Sequence, residues 1–271
     1  MRFALKIFYL GKYAGFQRQP DRETVEGYLL QAFEKGGLIS DWDSASYVAA
    51  GRTDKAVHAL GQVVAISSPK IPIIRQLNSL LPKDIVIWGS QMVKDDFNPR
   101  FEALSRNYRY YTRNTGMNVD LMEEGAKLLE GVHDFNLFSK YQPGKNTIRD
   151  IHQIRIEQTD EFLIFDILAD SFLWQMVRRI VDALLKIGRE QWVLRDIQDL
   201  LSLSPKANIY TEPQPVEGEG LLILWNIEYP FQFELDKKGV TNVKRLIQDL
   251  LVRFSLKAKL AIDLDSFFNQ L

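Results

Sequence analysis

The chain contains no cysteine and only three histidines, His58, His133 and His152, which lie far apart. The first absence excludes disulfides, thiolate metal sites, iron–sulfur ligation and thiol nucleophiles. The second argues against a metal centre built from several histidines. No apolar run approaches the ~20 residues that a membrane-spanning helix needs. The opening stretch MRFALKIFYLG is short, strand-like and without a small-residue cleavage site, unlike a secretion signal. A soluble cytoplasmic protein with no membrane association is therefore expected. The chain also has little net charge, −1 over 271 residues. Bulk positive charge for coating nucleic acid is absent, although a local basic groove is not excluded.

Hydrophobic residues make up 46% and charged residues 25%, enough apolar surface for a large core. Repeats and low-complexity linkers are lacking. Alternation predicts strands over Phe3–Tyr9, Tyr47–Ala50, Gln62–Ser67, Ile85–Trp88, Asn107–Thr112, Ile151–Ile156, Phe162–Leu168 and Leu221–Tyr229. Helical spacing predicts helices over Thr24–Lys35, Ile74–Leu81, Leu121–Leu129, Phe172–Ile187 and Gln191–Leu201, and from Val240 to about Leu251 and onward. Thr24 can cap the first helix and Gly36-Gly37 end it. So many strands argue for a mixed or antiparallel α+β fold over a simple alternating scheme. A break near Pro99–Ser105 suggests an N-terminal α+β half (1–103), a C-terminal α+β half (104–233) and a C-terminal helical extension (234–271).

Four places could carry chemistry. Gly51-Arg52-Thr53-Asp54 opens a loop between two strands, where a carboxylate can face a cleft while the sheet fixes it; the plain alternative is an Asp capping a turn. Arg100, Arg106, Arg109 and Arg113 interleave with Tyr108, Tyr110 and Tyr111, a pattern suited to phosphate and base contacts or simply to a charged strand. Phe16, Gln17 and Arg18 supply an aromatic, an amide and a cation on a loop. On the Phe172–Ile187 helix, Arg179 shares a polar face with Gln175, Asp182 and Lys186, which predicts a solvated or phosphate-touching side chain. Arg178 lines up with Trp174, Val181 and Leu185, and a guanidinium on an apolar stripe predicts a buried acidic partner unless it snorkels outward.

The string GRTDKAVHALGQVV resembles the signature of the TruA-type pseudouridine synthases. Further blocks resemble that family in the same order: YLGKYAGFQRQP with TVEG, DDFNPRFEALSRNYRYY, ADSFLWQMVRRIVDALLKIG and EGEGLLILWNIEYP. Together they run from about residue 5 to residue 230, and the GFQRQP and GRTDK forms look closer to archaeal members. The resemblance implies two ferredoxin-like, RRM-like halves sharing a mixed, largely antiparallel central sheet flanked by helices. It implies isomerisation of uridine to pseudouridine at tRNA positions 38, 39 and 40 in the anticodon stem-loop, by a homodimer, without metal or organic cofactor. Asp54 becomes the catalytic carboxylate, Tyr108 the active-site tyrosine and Arg178 the ion-pair partner of Asp54. Arg52 is implied to flip or hold the target nucleotide and the Phe16–Arg18 loop to touch RNA; the basic stretch itself offers Arg106 and Arg109 as further tRNA contacts. His58 is left outside catalysis.

The match departs from the family at several positions. Leu10 stands for a usual Asp, Gln175 and Arg179 for common His and Asn, and Asp182 for a frequent Gly. Ala56 replaces a usual Gly, so the backbone there is expected not to need a conformation that favours glycine. Two rival functions remain: a non-catalytic RNA-binding homologue of the same fold, and a carboxylate-dependent hydrolase, which would need a second acid that these blocks do not offer.

Overall fold

A computed structural model describes residues 1–40, 46–202, 213, 214, 216 and 220–268. The first half runs β1 (Arg2–Tyr9), α1 (Val25–Lys35), β2 (Val48–Ala49), β3 (Val57–Ser67), α2 (Ile74–Leu80) and β4 (Ile85–Val93). The second runs β5 (Ser105–Arg113), α3 (Val119–Leu129), β6 (Gly131–Asp134), β7 (Ile148–Gln158), β8 (Phe162–Ala169), α4 (Met176–Gly188), α5 (Leu194–Leu201) and β9 (Gly220–Glu228). A short β10 (Glu234–Leu235) and a long α6 (Lys237–Phe268) follow.

Local chemistry explains the elements best where the signal is strong. In α1 the Thr24 side chain accepts from the Gly27 N–H, and the buried set Val25, Leu29, Leu30, Ala32 and Phe33 has helical spacing. In β5 Arg106, Tyr110 and Thr112 are buried on one face, which Tyr108 shares while partly exposed, and Asn107, Arg109 and Tyr111 on the other face are partly exposed.

The strand order is β10-β4-β1-β3-β9-β5-β8-β7-β6, with β2 also on β3. Within each half the order is that of a ferredoxin-like βαββαβ unit: β4-β1-β3-β2 in the first and β9-β5-β8-β7 in the second. Pairing inside each unit is antiparallel. The units join through the parallel pair β3–β9, registered Val57 to Leu222 and Ala59 to Leu224. Gly61 permits this seam, because a Cβ there would lie 2.7 Å from the Asn226 Cα. The expected fold class is therefore what forms.

Each unit has its own core, one around Phe33, Ile7 and Leu29, the other around Phe165, Ile180 and Met122. Tyr108 packs against both. The start of α6 caps the sheet, with Val243 and Leu246 on Phe8, Val86 and Trp88. Among the described residues no helix is long and apolar enough to cross a membrane.

The structure corrects some sequence expectations. β3 begins at Val57, not Gln62, which shortens the Asp54 loop. α4 begins at Met176, not Phe172. The Trp174 carbonyl accepts from the Lys140 N–H, and Gln175 sits at φ 65°, so helical spacing continues through 172–175 while the backbone does not. Arg179 is buried rather than solvated, with Nη1 donating to the Pro213 carbonyl at 2.9 Å. Pro213 and Gln214 lie over the polar face of α4, where the Gln214 N–H also donates to Asp182. The residues Glu217–Glu219 of the last recognised block lie outside the described residues.

Candidate active site at the seam between the two units

Asp54 sits just before β3, where β3 meets β9, so residues of both units converge on it. They enclose a pocket of about 740 Å³ lined by Gly51–Asp54, Arg106, Tyr108, Phe172–Arg178 and Leu222. The loop is held rigidly. Thr53 is buried and its hydroxyl lies 2.7 Å from that of Tyr9. The fully buried Gln62 donates to the Gly51 carbonyl at 3.0 Å, and Phe16 N–H donates to the Thr53 carbonyl at 2.9 Å. Such backing fixes a reactive side chain more firmly than a free loop would.

Ala56 adopts φ 64°, against the expectation drawn from its lack of glycine. The loop makes this left-handed turn anyway, at a steric cost of roughly 1 kcal/mol. Gly11 explains part of the constraint. A Cβ there would lie 2.6 Å from the Ala56 carbonyl carbon and 2.9 Å from Val57 C, both backbone atoms. Gly11 N–H also donates to Nδ1 of the half-buried His58, which gives that histidine a structural place. Gly11→Ala is expected to lower stability by about 1–3 kcal/mol, the usual range for overpacking, and to reduce activity by displacing the loop. Urea melts and turnover measured side by side check this; an unchanged midpoint would contradict it.

Burial raises the Asp54 carboxyl above its ordinary value; the nearby Arg178 charge, a hydrogen bond from the Trp174 side chain and the Lys140 charge oppose that rise only in part. Arg178 is near enough to act on Asp54 electrostatically, but no ion pair within 4 Å joins them, and its Nη1 donates to the Val216 carbonyl at 2.8 Å. Tyr108 meets Phe172 edge to face at 5.1 Å, and burial pushes its phenol up to about 12, with Arg106 opposing and Asp54 adding to the rise.

The other expected site residues divide. Arg52 and Gln17 line the pocket. Phe16 does not: it is completely buried against Tyr9, so its ring is core and offers RNA no surface. Arg18 lies off the pocket lining, 3.7 Å from Glu26. Arg109 points to the opposite sheet face from Tyr108, paired with Asp166 at 2.5 Å and lying 4.0 Å over Trp225. Arg106 lines the pocket, but its guanidinium is buried and given to the backbone carbonyls of Asp170, Arg100 and Ala50.

Sequence reasoning missed Trp174, Lys140 and Gln62. Helical spacing puts Trp174 on the stripe of Arg178, but it lies ahead of the helix, with Lys140 Nζ 4.1 Å over its ring. Nothing local marks Lys140 or Gln62, since their roles depend on partners distant in sequence.

Similarity to known proteins extends over nearly the whole chain. A family model described as tRNA pseudouridine synthase matches residues 126–230. The chain is 37% identical over 260 residues to tRNA pseudouridine synthase A of Thermococcus kodakarensis, covering 94% of each. It is 38% identical over 267 residues to that of Pyrococcus furiosus, covering 96% of this chain and 95% of the relative. It is 41% identical over 228 residues to that of Methanosarcina mazei, covering 83% of each.

Proposed function

This chain belongs to the tRNA pseudouridine synthase family, and on that premise we propose that Asp54 is its catalytic carboxylate and that it acts on uridines 38, 39 and 40 of the anticodon stem-loop. The observation that carries the assignment is the convergence of Asp54, Tyr108 and Arg178 from three distant segments on one pocket. The reaction breaks the N1–C1′ bond, turns the base and joins C5 to C1′, releasing the C5 proton. Asp54 in its ionised form either adds to the ribose or removes the C2′ proton; both routes use the same carboxylate.

The target base must leave its stack to enter. Tyr108 then stacks on it, braced edge-on by Phe172. A phenol held neutral up to about 12 is a stacking face and hydrogen-bond donor, not a base at neutral pH. Arg178 stabilises the Asp54 charge from across the pocket without closing an ion pair. Arg52 and Gln17, on the pocket wall, hold the nucleotide.

The test uses tRNA with uridine at positions 38–40. Tritium release from C5-labelled uridine reports isomerisation, and carbodiimide mapping reports position. Binding without release would favour the inactive RNA-binding homologue, and modification elsewhere would refute the position.

The electrostatics add a pH prediction. Asp54 must be ionised, so activity should fall as pH drops, with its acid limb above the ordinary aspartate range. Trp174→Phe keeps a ring beneath Lys140 but deletes the N–H donor, and should move that limb to still higher pH. A limb that stays in place would remove Trp174 from this role.

A further inference from the structure

Of a second group of side chains, only Arg52 has a part in the reaction just described, yet all four lie on the wall of the same pocket. Lys145, Arg149, Arg100 and Arg52 line it from separate segments: the β6–β7 connection, the start of β7, the turn before β5 and the Asp54 loop. Their charges bear on one another. Lys145 is lowered first by burial and then by Arg100, Arg149 and Arg52. Arg149 is lowered first by burial, with Asp170 opposing and Arg100 and Arg106 adding to the fall.

Neutralisation among the described residues is poor. Among the described residues none of the four forms an ion pair within 4 Å. Asp170, the carboxylate acting on Arg149, already accepts the N–H groups of Ser171 at 2.5 Å and Asp150 at 3.3 Å through Oδ1. Arg149 Nη1 donates to the Asn146 and Ile148 carbonyls, but its Nε is buried with no partner among the described residues. Like charges crowded on one wall, with a buried donor unfilled, are unfavourable until an anion joins them.

We propose that this wall is a phosphate-binding subsite for the RNA backbone, centred on Lys145 and Arg149, that seats a phosphodiester beside the nucleotide entering the Asp54 pocket. The inference rests on the proposed function for its polymer. A ribose is flanked by phosphates on its 5′ and 3′ sides, so a carboxylate aimed at the sugar needs cations next to it. Arginine's fork suits a phosphate oxygen pair, and lysine adds a point charge.

The test is the salt dependence of binding to unmodified tRNA, in an Asp54→Asn background to prevent turnover. Each phosphate contact contributes about 0.7–0.9 to the slope of log K against log salt. Lys145→Met and Arg149→Met should each lower that slope by about one contact and weaken binding several-fold at low salt. Lys145→Arg should restore the slope, which a misfolded pocket would not allow. Lys127→Gln, on the exposed side of α3, should leave it unchanged. With Asp54 intact, Lys145→Met should raise the half-saturating tRNA concentration far more than it lowers the maximal tritium-release rate. An unaltered slope in both methionine variants overturns the subsite. Absence of tritium release by the wild type, with the slope still lowered in the variants, overturns the reaction and leaves the subsite standing.

Discussion

Asp54→Asn should slow tritium release by at least about 10³-fold, since amide nitrogen and oxygen can neither attack the ribose nor remove its C2′ proton. The same variant should melt higher than the wild type near neutral pH. Burial raises the Asp54 pKa in the folded protein, and Arg178, Trp174 and Lys140 recover only part of that shift. A raised carboxyl pKa means that the folded state binds the proton more tightly than the unfolded chain. The penalty is absent below the ordinary aspartate pKa, grows as pH climbs to the raised folded value and is complete above it. Asparagine carries no charge and escapes it. Thermal melts across pH check this: the advantage of Asp54→Asn should shrink as pH falls through that window. A variant that melts lower than the wild type at neutral pH would refute the electrostatic argument, and one that keeps its rate would remove Asp54 from the chemistry. A site that loses stability to gain reactivity is a common trade.

Arg106→Met should destabilise the protein by about 3–5 kcal/mol, which for a chain of this size lowers the melting temperature by roughly 10 °C. The guanidinium is buried, and its Nη1 and Nη2 reach the carbonyls of Asp170 and Arg100 at 2.7 Å and of Ala50 at 3.3 Å. It thereby ties the end of β8, the turn before β5 and the approach to the Asp54 loop together. Methionine fills the space and leaves those carbonyls without their donor. Arg106→Lys should recover only part, because one ammonium cannot reproduce a fork. Turnover should fall with stability, since Ala50 leads into Gly51–Asp54. The salt slope of tRNA binding should stay as in the wild type, for the buried Arg106 guanidinium has both Nη groups given to carbonyls, whereas Arg149 commits only Nη1. A slope lowered by about one contact would return Arg106 to the RNA-binding group.

Features controlled at short range were legible in the chain alone. The Thr24 cap and the strand over Asn107–Thr112 are local patterns, and both formed as their residues required. The family blocks also picked out Asp54, Tyr108, Arg178 and Arg52, which the fold assembles in one pocket. Alternation puts Arg109 on the opposite sheet face from Tyr108, which grouping it with Arg106 as a tRNA contact overlooked. Burial and pairing were settled by long-range packing. Phe16 became core because β1, α1 and the Asp54 loop close over it, and Arg106 a strut because the carbonyls of Asp170, Arg100 and Ala50 surround its guanidinium. Arg179 was buried by a segment more than thirty residues later, and Trp174 left the helix because Lys140 took its carbonyl. Ala56 turned left-handed under the packing of Gly11. Periodicity states which side of an element a residue faces, whereas what covers that side is set by contacts between segments distant in the chain. Asp54 illustrates both: its place in the loop is written locally, and its raised pKa comes from the walls that two units build around it.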